Sequence, residues 1–490
     1  MAIMAVALDA TSLAVALPIL AHSLSGTAIE AFWSGTSFLL CSTVFQPTFA
    51  AFSNILGRKP VMLLALAFFL AGTVVASCAT NFTTLLVGRA FQGFGGGGII
   101  TTTEVILADL IPLRLRGLYF GIFNGVWSFG SVIGPILGAG FSEKATWRWI
   151  FYINFPFIAI SAGIMLFLVK FQPLPVSLRK SFRDIDYVGT FLFIAGITSI
   201  LIPITWAGVM YDWDTWRVLV PLILGLAGIA AFLCYERFLA RNPPIPLSIL
   251  TTRTAIVTYI GTAAHGFILW AGLYYLPLYF QAVKGYSPIN SAIALFPVTF
   301  TVAPGAVITG LFITKTGRYR WTIWIGWAAS TIGLGLCCLI KPETGKAEYV
   351  IFMLVSGFGL GVCFSSIVFA IQASVKPSEV SIAVSMFSFF RTLGQTIGVA
   401  IGGTIFQNRM RVNLRSYPEL SPYAIQYSKD AASLMEVIHK MQEGEAKTHL
   451  IHAYADSLRV LWGTCCGLAG LAGILSIWTQ EFTLDRPLDT

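Results

Sequence analysis

The sequence predicts an all-α membrane protein made of two related sets of helices, and three observations carry that expectation. First, 56% of the 490 residues are hydrophobic and only 11% are charged, a balance far from that of a soluble domain. Second, apolar runs of about 20 residues recur along the whole chain, each long enough at helical rise to cross a hydrocarbon layer ~30 Å thick. Third, glycines four apart at Gly130, Gly134 and Gly138 reappear at Gly394, Gly398 and Gly402, 264 residues downstream. Glycines at that spacing share one helix face, where the missing side chain lets another backbone come close.

Taken in order, the runs place fourteen spans at 2–22, 32–53, 60–79, 84–108, 117–140, 150–169, 187–207, 216–236, 254–282, 290–314, 321–340, 349–371, 381–406 and 457–479. The first contains Asp9 and Pro18 and lacks a basic leader, so it reads as a transmembrane helix rather than a signal peptide. Pro135 inside the fifth removes one backbone hydrogen bond and makes a local bend, which membrane helices tolerate where neighbours satisfy the freed carbonyl. Two punctuated linkers divide the chain, at Lys170–Asp186 and at Arg237–Arg253 with its three prolines. The plan is six spans in 1–169, linkers and two inserted spans in 170–253, and six more in 254–490, with a long polar loop at 407–456.

Charge sets the expected orientation. Alternate loops hold sixteen basic residues, among them Arg58, Lys59, Arg116, Lys170, Arg318 and Lys376, against six in the short loops opposite. The basic side is expected to be cytoplasmic, together with both termini, and the 407–456 loop extracellular. The formal charge of +9 is thus a topology signal rather than the mark of a nucleic-acid partner. The sequon Asn81-Phe82-Thr83 falls on the outer side as a candidate glycosylation site. The eight cysteines show no metal or disulfide spacing, so no metal is expected. Gly57-Arg58-Lys59 after the second span and Gly317-Arg318 after the tenth add a second repeat, offset by 260 residues. Parallel repeats around a central site are a transporter design.

The motifs match a known family in order and spacing. They are Leu8-Asp9-Ala10-Thr11 through Ala16-Leu17-Pro18, Gly88-Arg89 through Gln92-Gly93-Phe94-Gly95, and Gly130 through Gly138. Trp147-Arg148-Trp149 through Asn154 and Pro156, and Tyr275-Leu276-Pro277 through Gln281, complete the set. Over essentially its whole length the chain resembles the fourteen-span drug:proton antiporters of the major facilitator superfamily, particularly the fungal members. That resemblance implies the major facilitator fold, with two six-helix bundles plus two inserted helices. It also implies export of drug-like or toxic organic compounds, or of a fungal metabolite, in exchange for protons. Gly130, Gly134, Pro135 and Gly138 become the hinge of the antiporter motif. Asn54, Gly57, Arg58, Lys59 and Arg116 become the cytoplasmic gate. The family usually carries an aspartate where this chain has Asn54, so the gate lacks one expected charge.

Asp9, in mid-span, is expensive to ionise unless paired or hydrated, and reads as a proton-titrating group in a watery cavity or as a structural carboxylate. The resemblance makes Arg89 the residue that tunes proton coupling. Its charge would lower the pKa of a nearby carboxylate. Glu104 lies fifteen residues along the same helix, about 22 Å away at helical rise, too far to meet Arg89. It is expected beside Asp109 and the Arg114/Arg116 loop, as a second protonation site or an inner ion pair. His265, Trp270, Tyr274, Tyr275, Gln281 and Arg391 are substrate-cavity candidates, the aromatic rings through stacking and cation–π contacts, although Arg391 also reads as a partner for a carbonyl or carboxylate. Gly93 through Gly98 contains GxGxxG inside a span with no strand before it, which speaks for helix packing and against a nucleotide.

The expected function is secondary active efflux by a monomer in the plasma membrane, or in a vacuolar or vesicle membrane. Its partners are a small organic substrate, protons and lipid, with no cofactor. The alternatives are an importer or facilitator of a nutrient or iron chelate on the same fold and, remotely, a polytopic membrane enzyme.

Overall fold

Apolar runs without internal turn chemistry become helices because, in lipid, every backbone polar group must be satisfied inside the segment. A computed structural model describes residues 1–26, 28–169, 185–208, 210–240, 243, 245–428 and 431–484. Its long helices are α1 (Ala2–Ser23), α2 (Ala28–Leu56), α3 (Arg58–Ser77), α4 (Phe82–Leu110), α5 (Arg116–Lys144) and α6 (Trp149–Leu168). They continue with α7 (Tyr187–Trp206), α8 (Trp216–Phe238), α9 (Arg253–Ala282), α10 (Pro288–Thr316), α11 (Arg320–Cys337) and α12 (Lys346–Ser374). The last two are α13 (Val380–Arg415) and α14 (Glu445–Leu475). Each expected span therefore falls on a long helix. Most of the Lys170–Asp186 linker, with Arg241, Pro244 and Arg486, lies outside the described residues.

The span count differs from the expectation of fourteen. Among the described residues ten helices are long and apolar enough to cross a membrane, or eleven if the two parts of the bent α1 form one span. α4, α11 and α13 do not meet that test. The reason is physical. α4 and α13 bury arginines, glutamines, serines and threonines together with many glycines inside the bundle, so little of their surface needs to be apolar.

Packing follows the glycines. α1 lies against α5, where a Cβ on Gly130 would sit 2.6 Å from Ala7 Cβ and one on Gly138 would collide with the Ser12 carbonyl. α9 lies against α13 in the same manner, with Gly398 facing the Phe267 carbonyl. The other pairings repeat as well: α2 and α3 on α4 are echoed by α10 and α11 on α12. The second set thus reproduces the first at an offset of eight helices. α14 packs on α11, α9 and α13, while α7 and α8 pair with each other and α7 touches α2 and α13. Gly57 (φ 96°) and Gly317 (φ 70°) both take left-handed backbone at the turns after α2 and α10, which explains why both repeats carry glycine there. The two sets meet along α5–α10, α2–α13 and α4–α13. The polar 407–456 segment contains a further helix at Ala431–Lys440, resting on α9, with Leu434, Met435 and Ile438 buried.

Candidate functional site

Three linked groups of polar side chains stand out among the described residues. The first lies wholly within α1–α6. Asp9 and Arg89 form an ion pair with both side chains fully buried. Gln92 Nε2 and Asn154 Nδ2 each donate to Asp9 Oδ1 at 3.0 Å. Arg89 in turn donates to Gln92 Oε1 (2.8 Å) and to the Ser34 carbonyl (2.9 Å), with its guanidinium over the Phe38 ring. Four helices besides α1 contribute, since Gln92 also donates to Thr73 on α3. Asp9 is therefore enclosed by donors rather than set in a watery cavity. Gln92 and Asn154 were visible only as members of motifs. Their signal is an amide in mid-span, which is costly in lipid unless it has a partner.

A second group crosses between the two sets. Glu104 accepts from Ser388, and Arg391 Nη2 lies 4.0 Å from Glu104 Oε1. Glu104 thus faces α13, not the Arg114/Arg116 loop. α4 and α13 run antiparallel, and the intervening helical turns carry Glu104 away from that loop. Around the Arg391 guanidinium stand the rings of Phe364 (5.2 Å), Phe387 (5.7 Å) and Trp127 (5.7 Å). The contacts continue up α13: Gln46 Nε2 donates to Thr392 (3.1 Å), and Thr43 and Thr396 share a hydrogen bond (3.1 Å). At the other end Ser381 donates to Asp109 Oδ1 (2.8 Å). From Ser381 to Thr396 this polar ladder follows α13 for roughly 22 Å.

The third group closes the end that carries Asp109. Arg58 pairs with Asp109 at 2.7 Å and donates to Ser53 and to Asn54 Oδ1 (2.5 Å). Asn54 is thus an acceptor only, and the charge partner comes from the end of α4. Lys59 caps the carbonyls of Leu166 and Val169. Arg116 donates to the Ile111 carbonyl (2.6 Å) and, across the seam, to Gln372 Oε1 (2.8 Å). Burial draws the Arg116 guanidinium down to about 10, opposed by nearby Asp109, so it stays charged near neutrality. Gln372 and Ser381 carried no motif. Only their polarity beside an apolar run marked them.

The remaining candidates divide. Trp270 and Tyr274 line a narrow cleft between α1, α5, α9 and α10, together with Thr11, Ser131 and Pro135. It lies toward the end opposite Asp109. His265 donates from Nε2 to the Leu360 carbonyl (3.0 Å) and faces Phe364. Tyr275 and Gln281 do not line this cleft. The Tyr275 hydroxyl donates to the Val399 carbonyl (2.8 Å), and Gln281 donates to Ser291 (3.1 Å). The i, i+1 offset turns Tyr275 away from the face that Tyr274 presents, whereas Gln281 shares that face but lies two turns, about 10 Å, further along the helix. Asn81 caps α4 by accepting from Thr84 N (2.8 Å), leaving its exposed amide nitrogen outward. No cluster able to hold a metal ion occurs among the described residues.

Residues 1–399 match the Major Facilitator Superfamily. The chain belongs to that superfamily. It is similar to the MFS transporter L2 of Phoma sp., with 49% identity over 99% of this chain and 81% of that one. It is 35% identical to the MFS-type efflux pump LUC4 of Fusarium sp., over 99% and 86% of the two chains. In fold it is similar to the human organic anion transporter MFSD10 (TETRAN), with a TM-score of 0.60 at 15% identity over 97% of each chain. The protein is a multi-pass membrane transporter of the fungal efflux type, not an enzyme.

Proposed function

We propose that this superfamily member is a fourteen-span antiporter that exports a small organic compound from the cytoplasm in exchange for protons. In this reading α1–α6 and α9–α14 are the two six-helix bundles, and α7 and α8 are the inserted pair. Both termini and the Arg58–Asp109 gate face the cytoplasm of a plasma-membrane protein that acts as a monomer. The carrying observation is the Glu104–Arg391 pair, buried on the seam between the bundles. A carboxylate there is held to the other bundle while ionised and released when a proton arrives. Proton binding is thereby linked to the relative position of the bundles, as alternating access requires. The neutral polar contacts across the seam, Gln46–Thr392 and Thr43–Thr396, are single hydrogen bonds, worth on average about 0.6 kcal/mol each inside a membrane. A ladder of such bonds can part and re-form on each cycle. The Asp9–Arg89 cluster sits within one bundle and is the second candidate for proton exchange.

The test is counterflow in proteoliposomes under an imposed pH gradient. Wild type accumulates substrate against its gradient when the substrate-receiving lumen is acid. Glu104→Gln binds and exchanges substrate but loses the gradient-driven part. Uptake that ignores the gradient in the wild type would remove antiport and leave a facilitator.

A further inference from the structure

The inserted helix α7 lies over a seam that is polar inside. Gln46 and Thr43 of α2 bond to Thr392 and Thr396 of α13, at 3.1 Å each. Beside those residues the same two helices are apolar: Leu40 and Val44 on α2 and Leu393 and Ile397 on α13 pack with Leu201 of α7. The second inserted helix, α8, packs on α7 and turns Ile223, Leu224 and Leu226 outward. The α5–α10 seam is built differently. There Gly121 faces Val307, and their neighbours Ile122 and Ile308 are exposed.

α7 holds the two bundles in unlike ways. To α13 it is keyed. The Thr404 hydroxyl donates to the Ala207 carbonyl (3.0 Å) at the turn that leaves α7. Gly208 in that turn has φ 78°, and a Cβ there would sit 2.7 Å from the Thr404 methyl. Nearer the other end of α7 the Phe193 ring lies 5.4 Å from Phe389. The contact with α2 is mostly apolar and lacks direction: Leu201 meets Leu40 and Val44, and the Trp206 ring stands edge-on to Trp33 at 6.2 Å. Trp33 Nε1 also reaches Met210 Sδ (3.4 Å), a weak acceptor. Apolar faces slide past one another in small steps, whereas a hydrogen-bonded turn fitted over a threonine keeps its register.

We propose that the α7–α8 pair is a lipid seal fixed to the second bundle, and that it slides over α2 as the bundles move. When the bundles rock, the Gln46–Thr392 and Thr43–Thr396 bonds part. Hydrocarbon entering that gap would leave amides and hydroxyls unpaired, which is costly. A helix anchored on α13 and lapped over α2 keeps the gap covered throughout the stroke. The inference rests on the two-bundle reading above and is independent of proton coupling and of cargo.

The experiment ties α7 to one bundle or the other and measures whether the Asp109 end still opens. The full-length protein, stripped of its eight native cysteines, carries Ser365→Cys as reporter, because Ser365 is buried beside Arg116 and Gln372. In lipid nanodiscs a membrane-impermeant maleimide reaches it only when that end opens. Ala207→Cys with Thr404→Cys joins α7 to α13. Val44→Cys with Leu201→Cys joins α7 to α2, and Leu40→Cys with Leu201→Cys does so independently. Each disulfide is formed with copper phenanthroline before labelling and verified by intact mass. The α13 link should leave the labelling rate within about twofold, and an α2 link should lower it by roughly tenfold or more. Reduced and desalted, the same α2-linked protein should regain its rate, which separates the link from a folding defect. Labelling lost with the α13 link, or unchanged with both α2 links, overturns the proposal. A reporter that never labels in the unlinked protein overturns the rocking of the bundles itself, and the seal with it.

Discussion

Gln372 on α12 offers the sharpest test of how the Asp109 end is held shut. Its Oε1 accepts from buried, charged Arg116 at 2.8 Å, joining α5 to the opposite set of helices. A hydrogen bond to a charged group contributes about 1.5–3 kcal/mol. Gln372→Leu removes it, but also removes an Nε2 that has no partner in the closed arrangement, which offsets about 1 kcal/mol. The net loss to the closed state is therefore about 1 kcal/mol, a shift of roughly fivefold toward opening. The reporter is Ser365→Cys, because Ser365 lines the small pocket with Arg116 and Gln372. On a background stripped of the eight native cysteines, a membrane-impermeant maleimide is applied to inside-out vesicles. The labelling rate should rise about fivefold with Gln372→Leu. A rate that stays the same or falls refutes the claim that this bond holds the closed state, and labelling only from the opposite side refutes the proposed orientation.

Three further outcomes follow from the same geometry. Asp9→Asn leaves Arg89 buried without its charge partner, a loss of about 3–5 kcal/mol, so the protein should be recovered in low yield. Adding Arg89→Gln should restore yield on size-exclusion chromatography, which a purely catalytic role for Asp9 would not produce. Gly138→Val drives a branched side chain into the Ser12 backbone and should lower the melting temperature in detergent, the overpacking costing about 1–3 kcal/mol. Gly140→Val, with open space at its Cβ, is the matched control and should be near neutral. In the 407–456 segment, His449 Nδ1 lies 2.5 Å from Glu419 Oε1 and holds that carboxyl below its usual range. A depressed folded-state value means the contribution is present above the ordinary carboxylate pKa and disappears as pH falls through the lowered one. The difference in thermal stability between wild type and Glu419→Gln should therefore vanish on acidification, and one that persists at strongly acid pH sinks the assignment.

Much of the architecture was legible in the chain. The apolar runs and their length dictated helices, because a lipid-embedded backbone has few other ways to satisfy itself. The glycine faces at Gly130–Gly138 and Gly394–Gly402 foretold two close helix pairs, since backbone contact at that spacing needs no knowledge of the partner's identity. α4 and α13 mark where composition alone stops: a helix sheathed by other helices is freed from the need to be greasy, and so it hides from a hydropathy count. The site was less readable still. Asp9 and Arg89 stood out as charges in mid-span, but nothing local said that Gln92 and Asn154 would enclose them. Glu104 could be ruled out as a partner for Arg89 by helical rise, yet its meeting with Arg391, 287 residues away, depended on how α4 and α13 are set side by side. Periodicity and polarity are properties of one helix and are written into its residues. Which polar faces meet across a seam depends on the rotation and depth of two helices at once, and only their packing decides it.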